Sequence, residues 1–219
     1  MNSDIVITSD STTDLSPELK ERYGIEICPL GVTLGGKTYI DGVDITPDDI
    51  YAHHDKTGEL PKTSATNVGE CLDFFKKFTE SGKTIIHFTI SSDMSSTYAN
   101  ACLAAEELEN VYVINTENLS TGGGLLVVAA AQMRDDGLAA EEIVEKTKAL
   151  VPCVDASFVI DSLEYLYKGG RCSALAMFGA NLLRLKPCIQ VKNGKMDVAK
   201  KYRGKYDEVL KQYIREKVT

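Results

Sequence analysis

The chain reads as an α/β protein: a mostly parallel sheet flanked by helices, followed by a smaller α+β lobe. Three observations predict this. Apolar strand-like runs alternate with helical patterns through the first two-thirds of the 219 residues, and such alternation requires crossovers that cover a parallel sheet on both faces. The pattern then changes near residues 151–157 into short strands and helices. Finally, Gly35-Gly36 and Asn193-Gly194 stand between strand-like segments, where two-residue loops of this kind form tight hairpins. The resulting boundaries are 1–152 for the first lobe and 153–219 for the second.

The elements follow in order. Strand signals lie at 4–9, 26–34, 37–40, 84–90 and 111–115, the first around Ile5-Val6-Ile7 and the fourth around Ile85-Ile86-His87-Phe88. Helix signals lie at 16–23, 47–54, 67–80, 96–109, 120–135 and 139–150. Ser16-Pro17-Glu18 and Thr46-Pro47-Asp48-Asp49 each supply a capping hydroxyl, a proline at the first helical position and acidic residues in the first turn. Thr66 and Asn67 can cap the helix that follows, and Gly82 and Gly137 mark helix exits. In the second lobe Phe158-Val159-Ile160 is a strand. Leu163 to Leu166 is a helix ending at Gly169-Gly170, and Arg171 opens another helix to about Leu185. A hairpin pairs 187–191 with 196–200, and a last helix spans 205–217.

Composition narrows the function. A net charge of −8 disfavours a nucleic-acid partner, whose binding rests on clustered Lys and Arg. Lys200, Lys201, Arg203 and Lys205 read as a solvated basic face. No stretch reaches the roughly 18 apolar residues of a membrane-spanning helix, and Leu125 to Met133 reads as a buried helix. The sequence opens directly into a polar-flanked strand without a charged leader, so a cytoplasmic protein is expected. Its six scattered cysteines are then expected to be reduced thiols. The three histidines have no spacing that would build a zinc site, and neither metal nor cofactor is expected.

Chemistry concentrates in hydroxyl-rich segments. Asp10-Ser11-Thr12-Thr13-Asp14 and Ser91-Ser92-Asp93-Met94-Ser95-Ser96-Thr97-Tyr98 each follow a strand and lead into a helix. Ligands of open α/β sheets sit outside the carboxyl ends of strands, where helix N-termini offer free N–H groups. Thr63 and Ser64, after Pro61-Lys62, are read either as a helix cap or as donors to a bound oxyanion. Ser95, Ser96 and Thr97 carry the same two readings. An enzyme using Ser95 as nucleophile, or Asp10 with a magnesium ion, is the alternative, although neither a Walker sequence nor a G-x-S-x-G elbow is present. His87 reads as a buried strand histidine and Gly122-Gly123-Gly124 as a close-packing site. Arg171, expected at a helix N-terminus where a cation is disfavoured, calls for an anionic contact from ligand, partner, Asp161 or Glu164.

Four segments together resemble the DegV family of bacterial fatty-acid-binding proteins. They are Asp10 to Leu15, Pro61-Lys62-Thr63-Ser64, Ile90 to Tyr98 (similar to the family's S-S-x-L-S-G-T-Y) and Leu163 to Arg171 (similar to L-x-x-L-x-x-G-G-R). The resemblance implies a two-lobe architecture holding a long-chain fatty acid such as palmitate, stearate or oleate between the lobes. It implies that Thr63 and Ser95, with Ser96 beside them, hold the carboxylate and that Arg171 contacts headgroup or partner. It further implies a carrier that is not itself an enzyme and that presents the carboxylate to a separate fatty acid kinase subunit for acyl-phosphate formation. Two departures follow from the comparison. Ser96 stands where the family usually has glycine, so an altered turn or a second ligand-reaching hydroxyl is expected. Relatives continue past the position of Thr219 with a histidine and a Gly-Pro-Gly-like stretch, so the second lobe is expected to be shortened.

Overall fold

In the computed structural model, which describes residues 4–172 and 185–218, the opening strand β1 (Ile5–Asp10) is buried at every position. A strand covered on both faces has no solvent side toward which to alternate. It pairs in parallel with β2 (Glu26–Cys28) on one side and β6 (Thr84–Thr89) on the other, and β7 (Val111–Asn115) continues the sheet in the order β2-β1-β6-β7. The helices of this lobe are α1 (Pro17–Tyr23), α3 (Val68–Thr79), α4 (Thr97–Glu106), α5 (Ser120–Asp135) and α6 (Ala140–Leu150), with α2 (Pro47–Thr57) in an excursion described below.

Side-chain alternation sorts them into layers. Ile5, Ile7, Ile86, Phe88 and Ile114 pack with Tyr23 of α1, Leu126, Val127 and Ala130 of α5, and Ile143 of α6. Ile85 and Cys28 on the other face pack with Cys71, Phe74 and Phe75 of α3 and Ala101 and Ala104 of α4. Each fully buried Ile or Phe contributes about 1.5–3 kcal/mol by leaving water. The predicted buried helix is amphipathic instead: Leu126 and Val127 are buried, but Leu125 is 65% exposed.

The chain moves from β1 to β2 on one side and later returns to β6 on the other. That reversal makes the carboxyl ends of β1 and β6 the topological switch point, where doubly wound sheets open a crevice.

The strand expected at 26–34 is two strands. Pro29 interrupts it, since proline cannot donate to a ladder. Glu26–Cys28 stays in the parallel sheet, and β3 (Gly31–Leu34) turns into a separate antiparallel sheet with β4 (Lys37–Ile40) and β5 (Lys62–Ser64), in the order β4-β3-β5. The Gly35-Gly36 hairpin forms as expected, with both φ values positive, 59° and 75°. Thr46 caps α2 through a reciprocal bond with Asp49, as its sequence predicts. Lys62 to Ser64 is a strand rather than a cap, and Asn67, paired with Glu70, caps α3.

The chain divides into two compact units, Met1–Val154 and Asp155–Thr219. In the second, β8 (Ala156–Val159), β9 (Leu185–Lys192) and β10 (Lys195–Arg203) form an antiparallel sheet in the order β10-β9-β8. Asn193 and Gly194 make its turn with φ of 49° and 76°, the geometry of a type I′ hairpin. The long helix α8 (Tyr206–Val218) covers one face, with Tyr206, Val209 and Tyr213 packed on Val159, Cys188 and Tyr202. Glu216 fastens α8 to β10 by accepting from Lys200 and from the Tyr202 hydroxyl (2.8 and 2.5 Å). The short helix α7 (Glu164–Gly169) ends at Gly170, whose φ is 72°. The helix expected from Arg171 to about Leu185 lies almost wholly outside the described residues, and Leu185 itself opens β9.

Charge is divided unevenly. Asp155–Thr219 holds 13 of the 24 Lys and Arg but 7 of the 32 Asp and Glu, a net +6 against −14 for the first unit. All six cysteines are free thiols, four of them buried. Among the described residues, no helix is long and apolar enough to cross a membrane.

Candidate functional site

Asp10, the last residue of β1, is fully buried. Its Oδ1 accepts from the Thr12 N–H and hydroxyl (3.0 and 2.5 Å), which closes the 3-10 turn Ser11–Thr13. Its Oδ2 accepts from the Ile90 N–H at 2.7 Å, immediately after β6. One side chain therefore spans the switch point. Burial pushes the Asp10 carboxyl above its ordinary range, against the bonds from Thr12 and Ile90, which pull it down. With both oxygens engaged by donors, Asp10 works as a clasp, and among the described residues no group of three or more His, Cys, Asp or Glu is placed to hold a metal ion.

The segments around it are joined in turn. The Ser11 hydroxyl accepts from the Leu30 N–H (3.2 Å), tying the turn to the chain after β2. The Thr66 hydroxyl donates to the Pro29 carbonyl (3.5 Å), and Asn100 in the first turn of α4 donates to the Thr66 carbonyl (2.8 Å). On the β7 side, the Ser91 N–H donates to the Asn118 carbonyl at 2.9 Å, and Asn115 Nδ2 donates to the Ser92 hydroxyl at 2.8 Å. Glu117 and Ser120 hold positive φ of 50° and 48° in that loop, a costly conformation for residues with a Cβ. Two of the four segments read from the sequence, those after β1 and β6, thus share one hydrogen-bonded edge, while Pro61 to Ser64 lies in the separate antiparallel sheet.

Ser95 Oγ accepts from the Thr97 N–H at 3.2 Å and lies 2.8 Å from Thr97 Oγ1. It stands in for the missing cap of α4, because Ser96 at the formal cap position makes no side-chain cap bond. Ser95 keeps a rotatable proton, and its partner, the Thr97 hydroxyl, is no base that could activate it as a nucleophile. Ser96 is exposed with φ −76° and ψ −1°, an ordinary right-handed conformation that any L-residue adopts. The turn therefore accommodates serine without distortion. No acidic residue occupies the first turn of α4, which leaves its positive end open to an anion. Thr63 is exposed in the middle of β5, opposite Val32.

Thr97, read from the sequence with Ser95 and Ser96 as a cap or a donor, is a buried helper of Ser95. Only 1% exposed, its hydroxyl sets the rotamer of Ser95. The signal for it was present in the serine-rich run but had no feature separating a helper from a binder.

Arg171 belongs to the second unit. Its Nη1 donates to the Gly169 carbonyl at 2.6 Å, and the carboxylates weighed as its partners are taken: Glu164 pairs with Lys168 and Asp161 with Lys186. His87 is fully buried as expected, 2.8 Å from the Thr8 hydroxyl and edge-on to Phe75 with centroids 5.0 Å apart. Burial holds its pKa down at about 3.

Residues 4–217 match a family model described as "Uncharacterised protein, DegV family". The chain belongs to the DegV family. A DegV domain-containing protein of Clostridium acetobutylicum is 37% identical over 202 residues, 91% of this chain and 72% of that protein. Among solved DegV structures, one from Thermus thermophilus, described as showing fatty acid binding, superposes with a TM-score of 0.86 at 30% identity, covering 97% of this chain and 77% of that one. A stearic-acid-binding protein from Eubacterium ventriosum superposes with a TM-score of 0.84 at 33% identity over 96% of this chain and 77% of that one. The mixed α/β fold, a parallel sheet flanked by helices with a smaller antiparallel lobe, is the DegV fold.

Proposed function

We propose that this chain binds a long-chain fatty acid through its carboxylate and carries it to a separate kinase subunit, which forms the acyl-phosphate. The observation that carries this reading is the carboxyl edge of the parallel sheet. Hydroxyl segments from the ends of β1 and β6 are bonded into one platform there, beside the N-terminus of α4, which Ser95 caps and whose first turn holds no acidic residue. DegV relatives at 28–33% identity described as fatty-acid-binding support it. In this reading Thr63, Ser95 and Ser96 take the carboxylate, and Arg171 meets the headgroup or the kinase.

The energetics favour such a division. A sixteen-carbon tail contributes on the order of 12 kcal/mol at ~0.8 kcal/mol per methylene before binding costs. The headgroup site then needs to orient the acid more than to add affinity. Neutral hydroxyls suit that, since they hold a carboxylate and then its phosphorylated form without a trapped ion pair. The protein acts as a cytoplasmic carrier, needs no cofactor, and leaves the phosphoryl transfer to its partner.

Native mass spectrometry of the purified protein tests the first step; one retained fatty acid per chain is expected. A ligand-free protein that also shows no thermal shift with oleate overturns the reading. The second step is tested by adding a fatty acid kinase catalytic subunit and ATP to the oleate-loaded protein, where oleoyl-phosphate is expected.

A further inference from the structure

We propose that Asp10 is the positioning residue of the carboxylate site: its buried side chain fastens the turn that carries Ser95 and Ser96 onto the end of β1. This rests on the reading of that edge as a fatty-acid headgroup site. Asp10 touches no ligand in this scheme and acts through the groups it holds.

The geometry is specific. The Ile90 N–H has left the β6 ladder, and the Asp10 carboxylate at 2.7 Å is its acceptor. From Ile90 the chain runs directly into the turn in which the Met94 and Ser95 N–H groups donate to the Ser91 carbonyl (2.9 and 3.2 Å), and Ser95 then caps α4 through Thr97. The position of Ser95 is therefore measured from Asp10 through a short run of bonded backbone. Asp10 is itself braced from below. Thr12 fills Oδ1, and the Thr13 carbonyl lies where a Cβ on Gly124 of α5 would approach within 3.0 Å. The Ser11–Thr13 turn is thus pressed against α5 and has no room to relax. A buried carboxylate so held costs desolvation. A neutral acceptor could satisfy the Ile90 N–H more cheaply, but it could not take both Thr12 donors and Ile90 together.

Asp10→Asn separates positioning from simple support. An amide of the same shape keeps one acceptor oxygen and turns an N–H₂ toward either Thr12 or Ile90, so one end of the clasp opens. Affinities for oleate and for oleyl alcohol are compared on lipid-stripped, full-length protein. Wild type is expected to prefer oleate, and Asp10→Asn is expected to lose about tenfold toward oleate while oleyl alcohol changes less than twofold. Equal losses for both ligands would make Asp10 a stability residue, and no loss would leave it without a role; either outcome overturns the proposal. If Asp10→Asn does not fold, Thr12→Val removes one bond to the same carboxylate and is expected to give a threefold loss confined to oleate, with the same outcomes overturning it. If wild type binds neither ligand, the fatty-acid reading itself fails.

Discussion

At the scale of single residues, the two exposed hydroxyls and the engaged one differ in what their loss should do. A hydrogen bond to a charged group is worth about 1.5 kcal/mol or more, close to tenfold in affinity. Thr63→Val and Ser95→Ala are each expected to weaken oleate binding by about tenfold in equilibrium titration, with the double variant weaker than either. Ser95→Ala also removes the acceptor for the Thr97 N–H, so it alone should lower stability, by about 1 kcal/mol for a lost cap. His87 predicts a pH effect. Its folded-state pKa is about 3 against 6.5 for the free side chain, so between these values the unfolded chain binds a proton that the folded chain does not. Stability is complete above pH 6.5 and falls as pH falls, by about 2 kcal/mol at pH 5. Asp10, with its raised pKa, works in the opposite direction. Urea midpoints between pH 7 and 5 should therefore decline in wild type and stay flatter in a Thr8→Val/His87→Phe double variant, where both members of the buried pair are replaced.

At the scale of elements, the α5 glycines give a paired test. A methyl on Gly124 would meet the Thr13 carbonyl at 3.0 Å and Leu15 Cδ2 at 3.2 Å, whereas on Gly123 its nearest contact is Thr13 Cγ2 at 3.4 Å. Alanine gains about 1 kcal/mol of helix propensity over glycine, and overpacking costs about 1–3 kcal/mol. Gly123→Ala is expected to be neutral or stabilising in chemical denaturation, and Gly124→Ala destabilising by about 1 kcal/mol with weakened oleate binding. The packing role of this triplet was legible in the sequence because small residues in a helix have few other uses. Strand β5 was not. Lys62-Thr63-Ser64 is exposed throughout and carries no apolar alternation, and it pairs with β3 with Ser64 opposite Gly31, where a Cβ would make the Ser64 hydroxyl turn away. A partner some thirty residues upstream leaves no local mark. The clasp made by Asp10 was hidden for the same reason: its acceptor role is answered by a backbone N–H, which has no sequence signature.

At the scale of the molecule, alternation, caps and hairpin turns carried the architecture, because each is written within a dozen residues. The hydroxyl segments carried the site's location, while its wiring runs between strand ends distant in sequence. Among the described residues, the hydrophobic clusters of the parallel sheet draw on residues up to Val154. A fragment of residues 1–154 is therefore expected to fold alone, with cooperative urea unfolding by circular dichroism. A non-cooperative transition would mean that the sandwich needs the second unit.

The bond from Ile90 to Asp10 joins residues 80 apart in the chain. At 5–20 residues per second, a ribosome takes roughly ten seconds to make that stretch. Throughout that interval the nascent chain carries an acidic side chain destined for the interior but still wet, and the turn bearing Ser95 has nothing to fasten it. On the proposed function, loading waits until the sixth strand has docked beside the first, and an interrupted translation product ending before it is expected to stay empty.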